Sequence, residues 1–131
     1  MKAGEAYFVQ KSTCAGGNIP DLPIYSNIAT STYEYALQPG WNIVSNPYGG
    51  KVRLADVQIK RVGTGETVSW ETAASNDYEW IKSGIYYSDG ADWGATYTPK
   101  TLPDAELVPW LGYWVYLAKT DDSYKLVFTK P

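Results

Sequence analysis

The chain has 131 residues with 11 basic and 14 acidic side chains, a net charge of −3 and 44% hydrophobic residues. That suits one packed domain with no basic run for nucleic acid. It has no histidine and one cysteine, which excludes His-assisted nucleophiles, an imidazole base, His-ligated metals, an internal disulfide and an iron–sulfur cluster. The surplus is aromatic: 6 Trp, 12 Tyr and 2 Phe make up 15% of the chain.

In chain order, the opening residues Met1-Lys2-Ala3-Gly4-Glu5 contain no apolar stretch fit for a signal peptide or a membrane span. Met1-Lys2 reads as a start added to an excised domain. The expectation is therefore a single module over 1–131 taken from a larger protein. Residues 1–36 would form an N-terminal strand and loop region, and 37–131 the motif-bearing part. Residues 6–11 (AYFVQK) are predicted as a strand, 12–23 as a loop containing Cys14, and 22–26 as a short edge strand beside Pro23. Residues 32–38 (TYEYALQ) alternate, and Pro39-Gly40 turns into a strand at 41–46 (WNIVSN).

Residues 52–61 (VRLADVQIKR) carry a polar interruption at Ala55-Asp56 that predicts a bulge or two short strands. A β-like run follows at 67–70. The single helix is predicted over 71–80, one to two turns long, with Ser69 as its cap. Strands at 84–88 and 95–98 flank a hairpin loop at 89–94, and 101–106 is predicted irregular. Residues 112–118 (GYWVYLA) form the most regular strand, with 124–130 (YKLVFTK) as its hairpin partner. Alternation buries Leu126 and Phe128 together. Short strands at close spacing without crossover helices predict an all-β fold: an antiparallel β-sandwich or small barrel-like domain with at most one short helix.

The stretch Leu37-Gln38-Pro39-Gly40-Trp41-Asn42-Ile43-Val44-Ser45-Asn46-Pro47 resembles a motif of β-rich accessory modules in bacterial extracellular and cell-surface proteins. Trp110-Leu111-Gly112-Tyr113-Trp114-Val115 resembles their closing strand. Ser69-Trp70-Glu71 and Ile85-Tyr86-Tyr87 look like their internal aromatic motifs. The resemblance implies a non-catalytic part of a larger secreted protein, and it lends no catalytic residues. Physically, Gly40 supplies a positive-φ turn position, Asn42 bonds backbone beside the turn, and Trp41 is expected to drop its ring onto the core. Trp114 is assigned to the structure as well, on the face opposite Tyr113.

The leading candidate site is an aromatic platform for sugar rings, formed from Trp80, Tyr86, Trp93, Tyr97 and Trp110, with Asp89 and Asp92 for the hydroxyls. A pyranose has an apolar C–H face and a polar rim, which stacked rings and nearby carboxylates can serve together. Alternation allows only one of Tyr86 and Tyr87 on a given platform. The competing reading is that these rings fill a core poor in Phe and Met. Asp89 and Asp92 are also a weak calcium pair, lacking the register of a recognised loop, and Asp121-Asp122 sits in another turn. No other metal or cofactor is expected. Nothing in the sequence brings two carboxylates together for glycoside hydrolysis.

The expected function is thus a non-catalytic extracellular binding module contacting carbohydrate through Trp and Tyr. The alternative is a structural, adhesion or filament-forming surface domain with core aromatics and a protein partner, including copies of itself. Neither nucleic acid nor membrane insertion is expected.

Overall fold

The strand signals carry through to the structure. A computed structural model describes Ala29 and residues 31–87, 98–100 and 104–131. The expected strands at 6–11 and 22–26, the loop with Cys14 and the hairpin loop at 89–94 lie outside the described residues.

Strands β1 (Tyr33–Leu37) and β2 (Gly40–Ser45) flank Pro39. β3 (Val52–Arg53) and β4 (Gln58–Arg61) are separated by a single 3-10 turn at Leu54–Asp56, the two-strand outcome of the polar interruption. β5 (Thr67–Ser69) runs into α1 (Trp70–Ala74). β6 (Ile85–Tyr87), β7 (Thr98–Lys100), β8 (Glu106–Leu107), β9 (Gly112–Leu117) and β10 (Tyr124–Phe128) follow. Two four-stranded antiparallel sheets result, ordered β1-β10-β4-β5 and β2-β9-β6-β7, with β3 and β8 paired separately. Neither sheet closes on itself among the described residues, so the all-β fold is sandwich-like.

Alternation builds most of the core, although Val127 of β10, of opposite parity to Leu126 and Phe128, is buried too. From the first sheet, Leu37, Ile59, Tyr124, Leu126 and Phe128 turn inward. From the second come Val44, Ile85, Tyr113, Val115 and Leu117, and Trp70 and Trp80 fill the space beside them. Leu126 and Phe128 are buried as expected, and Tyr124 shares their face because it shares their parity.

Three expectations need correcting. Strand β10 does not pair with β9: β9 lies between β2 and β6, and β10 between β1 and β4. Leu37 sits opposite Tyr124 and Gly40 opposite Leu117, so both chain segments pass from one sheet to the other at a shared corner. Pro39-Gly40 is therefore a sheet-switching bend, with Gly40 at φ +90°, and residues 118–123 are its counterpart. Aspartates hold that counterpart down. Arg61 donates to Asp122 and Asp121 at 3.0 Å each, and the Asp122 carboxylate accepts from the backbone N–H of Gly63 and Ser123. A Cβ at Gly63 would occupy the space that carboxylate fills.

The helix has the expected one to two turns, but it occupies Trp70–Ala74 and not the full 71–80 span. The Ser69 hydroxyl accepts from Thr72 N–H at 3.1 Å as expected of a cap, but the helix stops at Ala74. Ser75 bonds back to the Thr72 carbonyl through both N–H and hydroxyl, and Glu79 adopts φ +48°. Finally, Glu106, the last residue of the segment predicted irregular, belongs to strand β8, where it pairs with Arg53.

Candidate functional site

Alternation that sends one set of side chains into the core sends the other set out, and on the second sheet the outward set is aromatic. Trp41 on β2 lies directly opposite Tyr116 on β9, and Trp114 on β9 opposite Tyr86 on β6. The rings meet edge to face: Trp41 and Tyr116 centroids are 5.0 Å apart, and Trp41 and Tyr86 5.7 Å. Lys82 completes the group. Its ammonium stands 4.6 Å from the Tyr116 ring centroid and 5.5 Å from that of Trp41, within cation–π range. Trp41, Lys82, Tyr86 and Trp114 line an open hollow of about 520 Å³. Small-ligand sites span about 300–1,000 Å³, so one or two sugar rings fit.

Each member is held from beneath. Trp41 points outward because Asn42 points inward. The buried Asn42 amide accepts from Gln38 N–H at 2.8 Å and donates to the carbonyls of Gln38 (2.8 Å) and Gly40 (3.0 Å), closing the corner. Asn46 does the same four residues on, donating to the carbonyls of Gly50 and Leu107 and accepting from Tyr48 N–H. The motif's asparagines are thus structural and its tryptophan is exposed.

Lys82 is set by the turn after α1. Ile81 bridges to Leu117, Lys82 N–H donates to the Tyr116 carbonyl at 3.2 Å, and the buried Trp70 indole donates to the Ser83 carbonyl at 2.9 Å. Below the face, burial pushes the Tyr113 phenol up, keeping it protonated, and its oxygen accepts from Val108 N–H at 2.8 Å.

The predicted platform divides. Tyr86 belongs to the outward face, and Tyr87 turns inward toward Tyr113, as the alternation required. Trp80 is 5% exposed and packs 5.1 Å from Tyr124, so it is a core ring: one residue before Ile81, its parity is fixed by the bend at Glu79. Trp110 is 70% exposed at φ +69°, but it precedes β9 and does not line the hollow. Trp93, Tyr97, Asp89 and Asp92 lie outside the described residues.

Trp41 is 49% exposed, against the expectation of a core ring. It, Trp114, Tyr116 and Lys82 are the members that the sequence reading did not assign to a site. Among the described residues, no group of three or more Cys, Asp or Glu could share a metal ion. Asp121 and Asp122 are engaged by Arg61. No described helix is long and apolar enough to cross a membrane.

Comparison with protein-family models, curated proteins and solved structures finds no match to this chain. The site stands on its own chemistry: neighbouring strands of one sheet present aromatic faces and edges to solvent, with the Lys82 ammonium beside them. That surface can stack an apolar ring face and bond to its rim. No carboxylate lines it among the described residues.

Proposed function

We propose that the chain is a non-catalytic module of a larger extracellular or bacterial cell-surface protein, holding a glycan against the outward face of β2, β9 and β6. The observation that carries this reading is the hollow lined by Trp41, Tyr86, Trp114 and Lys82. Trp41 supports it most, since a ring half open to solvent gains by burial against a sugar's C–H face. A purely structural role for the rings would favour their burial, as with Trp70 and Trp80. Absence of histidine in the sequence supports binding without turnover.

The test is affinity electrophoresis through gels containing a panel of neutral and acidic polysaccharides. At least one should retard the protein, and Trp41→Ala should migrate as if that polysaccharide were absent while keeping its folded far-UV signal. Unchanged retardation of Trp41→Ala, or free migration of the parent chain in every gel, overturns the reading. Self-association at micromolar concentration that disappears in Trp41→Ala would instead assign this face to a second copy.

A further inference from the structure

We infer that the hollow on this face selects a carboxylated sugar, a uronate unit of an acidic polysaccharide, through Lys82; the inference rests on the glycan-binding reading above. Several other basic groups near the sheets already have acidic partners. Glu34 lies between Lys60 and Lys125, Lys51 meets Glu106, Arg53 meets Asp56, and Arg61 meets Asp121 and Asp122. Lys82 has no acidic side chain in salt-bridge range among the described residues, and its recorded side-chain partners are the two ring faces. It is exposed, it lines the hollow, and the other lining residues are aromatic.

The arrangement discriminates among ligands. A cationic ligand would meet Lys82 already occupying the Tyr116 and Trp41 π-faces. A neutral sugar can stack but leaves the ammonium with solvent alone. A pyranose bearing one carboxylate on its rim can stack on Trp41, Tyr86 or Trp114 and give Lys82 a charge-assisted hydrogen bond. One cation on a chain of net charge −3 favours one negative charge per ring over a densely sulfated polymer, which would be repelled by the rest of the surface.

Titration calorimetry at low salt, with oligogalacturonate, its methyl ester and heparin, tests this on the full chain. The acid should bind about fivefold more tightly than its ester, the scale of one exposed charge pair, and the preference should shrink as salt rises. Lys82→Gln should bind acid and ester equally, at the ester's original affinity, and Lys82→Arg should keep most of the preference. Equal affinity for acid and ester in the parent chain, a preference that survives Lys82→Gln, or tighter binding of heparin each overturns the inference. If a neutral polysaccharide alone retards the protein, the uronate inference fails and the stacking surface stands. If no glycan binds, both fail.

Discussion

The two sheets share one core and one alternation rule, yet their outward faces differ in chemistry. On β1, β10 and β4 the outward positions include Glu34, Lys125 and Lys60, and the Glu34 carboxylate accepts from both ammoniums at 3.1 and 3.3 Å. These partners hold Glu34 below the usual carboxylate range, Lys125 contributing most. On β2, β9 and β6 the same positions hold Trp41, Tyr116, Trp114 and Tyr86, and the neighbouring Lys82 ammonium rests on rings, with no acid in salt-bridge range among the described residues. On the charged face each named ion has a partner of opposite sign, and the face stays wet. An aromatic face with an unneutralised lysine still has apolar surface and a charge to offer.

The largest expected effect removes the support common to both faces. Trp70 is 1% exposed and bonded to Ser83, so Trp70→Ala should cost about 3–5 kcal/mol in urea denaturation. Trp70→Phe should cost less stability but still weaken glycan binding, because the Ser83 carbonyl that steadies Lys82 loses its donor. Alkaline titration comes next. Burial, with a hydrogen bond to Asp121 second, pushes the Tyr124 phenol up to about 12 from 10. The unfolded chain therefore releases that proton first, and stability should fall by on the order of 2 kcal/mol as pH rises between those values. Thermal melts followed by far-UV circular dichroism would show it; a flat profile from pH 10 to 12 would place Tyr124 outside the core.

Gly40→Ala, at φ +90°, should cost about 1–3 kcal/mol and loosen the corner that aims Trp41. The contrast between faces is sharpest in the smaller effects. Trp41→Ala should lower stability by no more than about 1.5 kcal/mol, the value of its ring contacts, while removing glycan binding. Glu34→Gln, on the charged face, should change stability by less than about 0.5 kcal/mol and leave binding as it was. Equal effects of these two substitutions on binding would erase the distinction between the faces.

Much of the fold could be read from local pattern. The parity of Gly112 to Leu117, the interruption at Ala55-Asp56, the positive φ at Gly40 and the Ser69 cap each depend on residues close in sequence. What could not be read was pairing between distant segments. Nothing local tells that β9 meets β2 and β6 while β10 meets β1 and β4, so the turn chemistry of Asp121-Asp122 reads as a hairpin in the sequence where the structure has a sheet change. The site failed to show itself for a related reason. A large ring is the default core residue, and burying the amide of Asn42 reverses that default for Trp41. Only its hydrogen bonds to Gln38 and Gly40 reveal that the polar residue goes in and the tryptophan out. Tyr86 was legible because alternation alone separates it from Tyr87.

The most direct test of the aromatic face uses the indole N–H signals of the ¹⁵N-labelled chain, assigned by single Trp→Phe substitutions and followed on addition of the polysaccharide that retards it in gels. Trp41 and Trp114 should shift in a saturable way while Trp70 and Trp80 stay in place. Saturable shifts confined to Trp93 or Trp110, with Trp41 and Trp114 unmoved, would contradict the account.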